Sequence, residues 1–294
     1  MDPSAEARKG PTMPPPATPI APVAPLGRVL IIAGSDSGGG AGIQADIKSV
    51  TAQGAFAMTA ITALTVQDTT AVHDVIPIPV ASVRDQWRVC LADLGADAIK
   101  TGLLGRAELI EALADDLHDR APDVPRIIDP VMVASTGARL IDDRGVQAMR
   151  ASLVDGASLV TPNAPEAEVL TGRAVETVDD QRRAAERLLR AGARAALVKG
   201  AHVAGDWIVD VLQTEDDEHL FDNPRISSRA THGTGCTLAS ASAAWVAQGK
   251  PIPEAVEMAL AYLREAIVRA PGYGRGHAPV DHAWPFRAAR SRDQ

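Results

Sequence analysis

The sequence predicts an α/β protein with a central, mostly parallel sheet and helices on both faces of that sheet. Short, continuous apolar segments recur along the chain, and such segments are typical of strands buried on both sides. Segments with helical apolar periodicity alternate with them, and this alternation is typical of parallel sheets. Ligands of parallel sheets bind beyond the carboxyl ends of the strands. Gly34, Lys100, Asp129, Asn163 and Lys199 all stand at such predicted ends.

The predicted elements follow one another in regular order. The first strand covers 28–33, and a helix follows it with Ile43, Ile47 and Val50 on one side. Pro79 has the fixed backbone angle that suits the start of a helix. Further strands are predicted at 58–66, 72–80, 98–100, 126–129, 158–161, 195–199 and, near an edge, 208–212. Further helices are predicted at 79–94, 107–117, 143–153 and 179–191, and two more close the chain.

The chain is predicted to contain one large domain between two tails. Residues 1–26 include eight prolines and five alanines, a composition that favours a disordered, partly polyproline II segment. This segment lacks the continuous apolar core of a signal peptide. The domain is expected at 27–285, and a flexible C-terminal tail at 286–294.

Composition excludes several classes of function. A net charge of −8 argues against a nucleic-acid-binding protein that relies on a basic surface. Two cysteines are too few for a disulfide framework, which favours a reducing, cytoplasmic location. No apolar run approaches the ~20 residues of a membrane span, so no membrane partner is expected. A hydrophobic fraction of 46% is sufficient for a large core.

The most informative motif is the run from His232 to Thr237, His-Gly-Thr-Gly-Cys-Thr, just before an Ala-rich helix. Gly233 and Gly235 free the backbone, so that N–H groups can converge at a helix N-terminus and bind an anion. A helix N-terminus lowers the pKa of a cysteine. Cys236 is therefore expected to be a proton acceptor beside an anion site.

Other motifs allow two interpretations each. The segment Gly34–Gly42 matches neither the P-loop nor the dinucleotide fingerprint, and is either a ligand loop, which we favour, or a flexible turn. Asn163 and Glu166 lie one helical turn apart, which suits either Mg²⁺ binding or a capping box. Asp129 either faces the ligand crevice or caps a helix. Lys199 either contacts polyphosphate or is a surface lysine.

Two polar residues are weaker candidates for a small-ligand pocket. Gln67 ends a predicted strand, and its amide can both donate to and accept from a heteroaromatic ring. Asp46 either reaches back to the ligand loop or simply favours the positive end of its helix. No histidine and cysteine cluster has zinc spacing. The combined groups suit phosphoryl transfer, which depends on positioning and charge neutralisation.

With these motifs, the chain resembles the hydroxymethylpyrimidine/phosphomethylpyrimidine kinases of thiamine biosynthesis, in the ribokinase-like superfamily. The resemblance covers nearly all of residues 28–270. It rests on seven motifs in order, at 33–46, 62–68, 100–104, 129–132, 161–166, 198–200 and 232–237. It implies a three-layer α/β/α fold. It also implies ATP- and Mg²⁺-dependent phosphorylation of 4-amino-5-hydroxymethyl-2-methylpyrimidine, and then of the monophosphate to the diphosphate.

The resemblance also implies residue roles. The catalytic anion hole would comprise Gly233, Thr234 and Gly235, with Cys236 as the base where related sugar kinases usually have Asp. The substrate pocket would comprise Gln67, Asp46, Gly34, Val131 and Leu103, the last at a position where the family often has Met. ATP would contact Lys199, Asn163 and Thr234. Magnesium would be organised by Asp129, Asn163 and Glu166, largely through water.

Two alternatives remain open at this stage. Pyridoxal kinase activity occurs in the same superfamily, since pyridoxal is also a small ring with a hydroxymethyl group. A non-catalytic pyrimidine-binding protein is the other, although Lys199, Asn163, Glu166 and Cys236 together would not be needed for binding alone. The family also implies a homodimer. The partners expected are thus small molecules and a second copy of the chain.

Overall fold

The computed structural model describes residues 26–134 and 137–290. Nine strands in these residues form one sheet: β1 Arg28–Asp36, β2 Phe56–Gln67, β3 Val72–Pro77, β4 Ala98–Thr101, β5 Arg126–Ile128, β6 Leu159–Val160, β7 Ala195–Val198, β8 Trp207–Thr214 and β9 Glu218–Pro224. Their spatial order is β3-β2-β1-β4-β5-β6-β7-β8-β9. In this spatial order, the five pairings between β2 and β7 are parallel. The pairings β3–β2, β7–β8 and β8–β9 are antiparallel. The mostly parallel sheet predicted from the sequence is confirmed.

Helices connect the strands. Their bounds are α1 Gly42–Ala52, α2 Val80–Asp93, α3 Ala107–Arg120, α4 Asp143–Ala148, α5 Ala164–Thr171, α6 Val178–Arg190, α7 Thr234–Ala247, α8 Ile252–Val268 and α9 Trp284–Arg290. A wider, π-helical turn over Met149–Leu153 continues α4. None of the helices in the described part of the chain is long and apolar enough to cross a membrane.

The helices form two layers, one on each face of the sheet. Alternate residues of β1 show this: Leu30 and Ile32 belong to a core with α2 to α6, whereas Val29 and Ile31 belong to a second core with α1, α7 and α8. All four side chains are fully buried. A strand with a continuous apolar sequence is stable here because both of its faces are covered. The three-layer α/β/α architecture is confirmed.

Several elements differ from the sequence prediction. The strand predicted at 208–212 is β8, and β9 lies outside it as the true edge. The helix predicted at 143–153 changes to a π-helical turn after Ala148. Ile47, expected on the buried side of α1, is 38% exposed. The short helices α5 and α9 have too few residues for a clear apolar period, and β9 has no buried residue to mark it as a strand.

The predicted domain limits are only partly covered by the structure. The predicted tail at 1–26 lies outside the described residues except for Leu26, and positions 291–294 also lie outside them. The helix α9 extends from Trp284 to Arg290 and so crosses the predicted domain limit at residue 285.

Candidate active site

The candidate site surrounds the N-terminus of α7, at the sheet edge where the parallel strands end. Lys199 directly follows β7, and Asp129 directly follows β5. A Cβ atom added at Gly235 would lie 3.3 Å from Lys199 Nζ and 3.8 Å from Asp129 Oδ2. The structure therefore brings together three residues that the sequence placed on separate elements.

Gly233 gives the start of α7 its shape. Its φ angle is +78°, in the left-handed region. A Cβ atom at this position would lie only 1.8 Å from the carbonyl oxygen of Gly40. Because neither the angle nor the space admits a side chain, glycine is required here. The segment 34–42, which we call the glycine loop, is thus in contact with the segment 232–236, which we call the anion turn.

The anion turn contains backbone N–H groups that have no acceptor within α7. The first backbone N–H of α7 bonded within the helix is that of Thr237, which donates to the Gly233 carbonyl at 2.9 Å. The N–H groups of Thr234, Gly235 and Cys236 precede it, and helix N–H groups at these positions have no intrahelical acceptor. N–H groups in this position can bind an anion, as the sequence analysis predicts. The Thr234 hydroxyl itself donates to the Thr231 carbonyl at 3.2 Å.

Cys236 is partly buried at the first turn of α7. Burial raises the pKa of its thiol to about 12; the charge of Lys100 opposes this rise, and Asp46 and Asp129 add to it. The backbone N–H of Gly42 also faces the thiol and favours the thiolate. The expectation from the sequence that the helix N-terminus lowers this pKa is therefore wrong. Burial beside two carboxylates outweighs the helix.

Asp129 and Lys199 form a buried pair. Lys199 Nζ lies 3.6 Å from Asp129 Oδ1, and both side chains are largely buried. Burial opposes the charge of Lys199, but Asp129, Glu166 and Cys236 outweigh it and raise the lysine pKa. Lys199 is thus a fixed cation beside the anion turn and not the surface lysine that was the alternative interpretation. The second oxygen of Asp129, Oδ2, is buried without a hydrogen-bond partner among the described residues.

Asn163 and Glu166 form a capping box at the start of α5. The Glu166 N–H donates to Asn163 Oδ1, and the Asn163 N–H donates to Glu166 Oε2, both at 2.9 Å. Asn163 also pairs with Lys199 as an isolated β-bridge, so the box borders the site. Burial raises the pKa of Glu166 to about 7, opposed by Lys199 and increased by Asp129. The capping interpretation is confirmed, and it leaves further oxygen lone pairs of both side chains available.

Asp129, Asn163 and Glu166 can supply only some of the ligands of a magnesium ion. The described residues contain no group of three or more His, Cys, Asp or Glu side chains arranged to hold a metal. However, Asp129 has an unpartnered buried oxygen, and Glu166 is close enough to interact with its charge. Mg²⁺ usually retains several waters and is bound by one or two carboxylates together with substrate phosphates. This donor set fits a Mg²⁺ ion of that kind.

A second buried ion pair lies beside Cys236. Lys100 Nζ donates to Asp46 Oδ1 at 2.8 Å, and neither side chain is exposed to solvent. Ser240 Oγ, on α7, donates to the same oxygen at 2.7 Å. Burial opposes the charge of Lys100, but Asp46, Cys236 and Asp129 outweigh it and raise its pKa. Asp46 Oδ2 is buried and has no partner among the described residues.

The remaining pocket candidates occupy two places. Gly34 is buried at the end of β1, and a Cβ atom there would lie 2.9 Å from Leu103 Cδ2, so these two predicted residues are in contact. Val131 is partly buried two residues beyond Asp129, and its N–H donates to the Asp129 carbonyl at 2.8 Å. Gln67 ends β2, where its Nε2 lies 3.5 Å from His232 Nε2.

Asp36 joins the glycine loop to the anion turn, although the sequence analysis did not select it. His232 Nε2 lies 2.8 Å from Asp36 Oδ2, and both residues are buried. The same carboxylate accepts the N–H groups of Gly38, Gly40 and Ala41 at 2.8 to 3.0 Å. Burial opposes its charge, but these contacts and His232 together lower the pKa of Asp36. The carboxylate thus organises the glycine loop and orients His232.

The sequence analysis assigned no role to three residues of this site: Asp36, Lys100 and Ser240. Only Lys100 had a signal in the sequence, because a lysine is unusual within the apolar segment from 98 to 101 and rarely becomes buried without a partner. Asp36 and Ser240 acquire their roles through contacts with residues 196 and 194 positions away, which no local pattern encodes.

Comparisons with known proteins find clear relatives of this chain. The sequence matches the model of the phosphomethylpyrimidine kinase family over residues 36–281. It is 45% identical to the hydroxymethylpyrimidine/phosphomethylpyrimidine kinase of Streptomyces coelicolor, over 92% of this chain and 97% of that protein. It is 47% identical to the thiamine biosynthesis bifunctional protein ThiED of Geobacter sulfurreducens over 91% of this chain, and spans only 54% of that relative's length.

Solved structures share the fold. An ADP complex of Bacillus subtilis pyridoxal kinase has a TM-score of 0.82 and 32% identity, covering 90% of this chain and 99% of that one. Staphylococcus aureus pyridoxal kinase with AMP-PCP and pyridoxal has a TM-score of 0.80 and 32% identity, covering 87% and 94%. A phosphomethylpyrimidine kinase from Clostridium difficile 630 has a TM-score of 0.73 and 35% identity, covering 82% and 99%.

Proposed function

Because this chain belongs to the phosphomethylpyrimidine kinase family, we propose that it phosphorylates 4-amino-5-hydroxymethyl-2-methylpyrimidine with ATP. We further propose that it phosphorylates the product again, to the diphosphate used in thiamine diphosphate biosynthesis. The observation that carries the proposal is the position of Lys199 and Asp129 beside the anion turn, which itself contains Cys236. These residues supply the parts that phosphoryl transfer needs from a protein, namely a phosphate cradle, a fixed cation and a proton acceptor.

The donor half of the proposed site binds ATP. The N–H groups of Thr234, Gly235 and Cys236 bind the oxygens of the transferred group, because that group carries negative charge throughout the reaction. Lys199 contacts the neighbouring phosphates as a point charge held by Asp129. Asn163 lies beside Lys199 through their β-bridge and so borders the same phosphates.

Magnesium is part of the proposal. Asp129, Asn163 and Glu166 would hold the ion, largely through water, since Asp129 Oδ2 is unpartnered and the capping box leaves free lone pairs. When bound, the ion neutralises phosphate charge. The Asn163 N–H donates to one carboxylate oxygen of Glu166. This hydrogen bond orients the carboxylate and so fixes the direction of its other oxygen.

The acceptor half holds the pyrimidine. Gly34 allows a flat ring to approach the backbone, with Leu103 and Val131 as the walls. Gln67 and Asp46 bind the polar edge of the ring. Cys236 accepts the proton of the hydroxymethyl group, and Lys100, Lys199 and the N–H of Gly42 are the groups of the chain that favour its thiolate.

Pyridoxal kinase activity is the second candidate. It is supported by the Bacillus subtilis and Staphylococcus aureus structures, which are pyridoxal kinases with TM-scores of 0.82 and 0.80. A product assay with ATP and Mg²⁺ that resolves mono- from diphosphate tests both candidates. We expect both phosphates from hydroxymethylpyrimidine and a lower kcat/KM for pyridoxal. A higher kcat/KM for pyridoxal would overturn the first candidate, and no ATP turnover with either compound would support a binding protein instead.

The assembly, location and limits of the protein are proposed as well. The exposed apolar side chains of Leu64, Val66 and Ile76 lie on one face of the paired strands β2 and β3 and support a homodimer. Both cysteines are free thiols, which supports a cytoplasmic location. The kinase domain is proposed at 27–285, between the tails at 1–26 and 286–294.

A further inference from the structure

Lys100 has an unusual environment for a lysine. It lies on β4, its side chain is completely buried, and its neighbours Ile99 and Ala98 are also fully buried. Lysines are almost never fully buried unless they are paired. The pairing here is with Asp46, on α1, at 2.8 Å. A buried ion pair is weak evidence for a role in stability, because apolar residues of similar volume often stabilise a core equally well. A role in the site is therefore the better explanation.

The pair is asymmetric at the carboxylate. Lys100 Nζ and Ser240 Oγ both donate to Oδ1 of Asp46, at 2.8 and 2.7 Å. The other oxygen, Oδ2, is buried and has no hydrogen-bond partner among the described residues. A buried carboxylate oxygen without a donor is costly, so its position points to a donor that arrives with a ligand.

Asp46 belongs to the acceptor half of the site. It lies one helical turn after Gly42, which is in contact with the carbonyl of Gly34 and whose N–H faces the Cys236 thiol. Asp46 and Cys236 also lie close enough for their charges to interact. The ligand donor that meets Oδ2 therefore comes from the acceptor and not from ATP.

The backbone near Lys100 is shaped to leave room for the ammonium group. A Cβ atom added at Gly102 would lie 3.0 Å from Lys100 Nζ and 3.0 Å from Ala33 Cβ. These separations are tighter than ordinary van der Waals contact, so an alanine at this position requires the ammonium group to move by a few tenths of an ångström. Gly102 thus offers a way to displace Nζ without removing a charge.

We propose that Lys100 is a positioning residue for the acceptor: by holding Asp46 Oδ1, it leaves Oδ2 to accept an N–H of the 4-amino group of the pyrimidine. The inference rests on the proposed function for the identity of the acceptor. Lys100 therefore does not contact the substrate, yet it determines how strongly the amino group is recognised. Ser240 assists by fixing the same oxygen from α7.

The test compares two ligands, 4-amino-5-hydroxymethyl-2-methylpyrimidine and the same compound without its amino group, by calorimetric Kd and by KM. For the wild-type protein, we expect the amino group to improve binding about 10-fold or more, as for a hydrogen bond to a charged group. In K100M we expect this preference to fall to about 2-fold or less, whereas KM for ATP changes less than about 2-fold. K250M, at a partly exposed lysine paired with Glu254, should keep the full preference.

Two further variants separate positioning from charge neutralisation. In D46N/K100M no buried charge is left unpaired, so we expect the melting temperature to recover while the amino preference stays lost. G102A keeps every charge and should lower the preference about 3-fold by displacing Nζ. If K100M does not fold, G102A gives the answer, because D46N/K100M also removes the accepting carboxylate.

Unchanged amino preference in K100M, or in G102A where K100M does not fold, would overturn the proposal. Recovery of both stability and preference in D46N/K100M would also overturn it, because Lys100 would then only neutralise Asp46. Failure of the proposed function has a different signature, since the wild-type protein would phosphorylate neither compound. The calorimetric comparison would still measure the contribution of the amino group in that case.

Discussion

Cys236 has different tasks in the two proposed phosphorylations. The first acceptor is an alcohol, which gains from removal of its proton, whereas the second is a phosphate that is already ionised near neutral pH. Because burial raises the thiol pKa to about 12, the thiolate depends on nearby positive charge. We therefore expect the thiol to contribute mainly to the first phosphorylation, in which a proton must be removed.

We expect C236A to lower kcat of the first phosphorylation roughly 100-fold or more and that of the second less than about 10-fold. The measurement is a separate assay of each step, with the alcohol or the monophosphate as acceptor. C90A is the matched control, since Cys90 is the other free and partly buried thiol and lies on α2. Equal losses in both steps, with the melting temperature unchanged, would mean that Cys236 only shapes the anion turn.

The roles of single residues can be predicted from the sequence where a local pattern contains the chemistry. The run from 232 to 237 predicts an anion cradle because its glycines and its helix are adjacent in sequence. The Cys236 pKa was not predictable, because it depends on burial beside Asp46 and Asp129, which are distant in sequence. The Asp36 link to His232 was missed for the same reason.

At the scale of elements, the start of α7 depends on one backbone conformation. We expect G233A to reduce the free energy of unfolding by at least ~3 kcal/mol, because it combines a left-handed φ with a clash against the Gly40 carbonyl. G249A is the control: Gly249 also has a positive φ, +85°, but open space around it, so it should cost only about 1 kcal/mol. Denaturant titration measures both, and equal losses would contradict the close approach of the two loops.

His282, which lies between α8 and α9, contacts the first turn of α7. The His282 Nε2 atom lies 3.0 Å from Thr237 Oγ1, and the Tyr262 hydroxyl donates to the His282 carbonyl at 2.8 Å. Burial lowers the pKa of His282 to about 4, and the charges of Lys48 and His232 add to this shift. The histidine is therefore neutral in the folded protein at neutral pH.

This shift predicts a pH dependence of stability. A histidine whose folded pKa lies below its unfolded value of about 6.5 is protonated more readily when unfolded, so its contribution is present above pH ~6.5 and is lost as the pH falls towards 4. We expect the wild-type protein to lose about 2–3 kcal/mol more than H282Q over this range. H118Q, at an exposed histidine of α3, is the control. Parallel stability curves for wild type and H282Q would refute the assignment.

Most elements were predictable because each has a recognisable apolar pattern. The strands from β1 to β8 and seven of the nine helices in the described residues are near their predicted positions, since each buries a continuous or periodic set of side chains. The strand β9 alternates between exposed and partly buried residues and lacks such a set. The π-helical turn at Met149–Leu153 inserts extra backbone into a pattern that reads as an ordinary helix.

At the scale of the whole molecule, the antiparallel pair β2 and β3 ends the sheet with an unusual surface. Leu64, Val66 and Ile76 share one of its faces and are 41, 48 and 47% exposed. Neighbouring exposed apolar side chains of this kind are typical of an interface between proteins. A second copy of the chain is the proposed partner.

We expect the wild-type protein to be a dimer by light scattering after size exclusion, and L64D/I76D to be a monomer, since each buried Asp would lose its hydration at the interface. V268D is the control, because Val268 is also apolar and 62% exposed but lies at the end of α8. A monomeric wild-type protein, or a dimer that survives both aspartates, would exclude this face.

The contact between Gly40 and Gly233 has a consequence for engineering. A Cβ atom at Gly40 would lie 2.3 Å from the His232 ring, and one at Gly233 would lie 1.8 Å from the Gly40 carbonyl, so each loop fixes the path of the other. Transplanting the glycine loop alone from a kinase with another acceptor would misalign the anion turn. A chimaera that changes acceptor choice must exchange 34–42 and 232–236 together, as one unit.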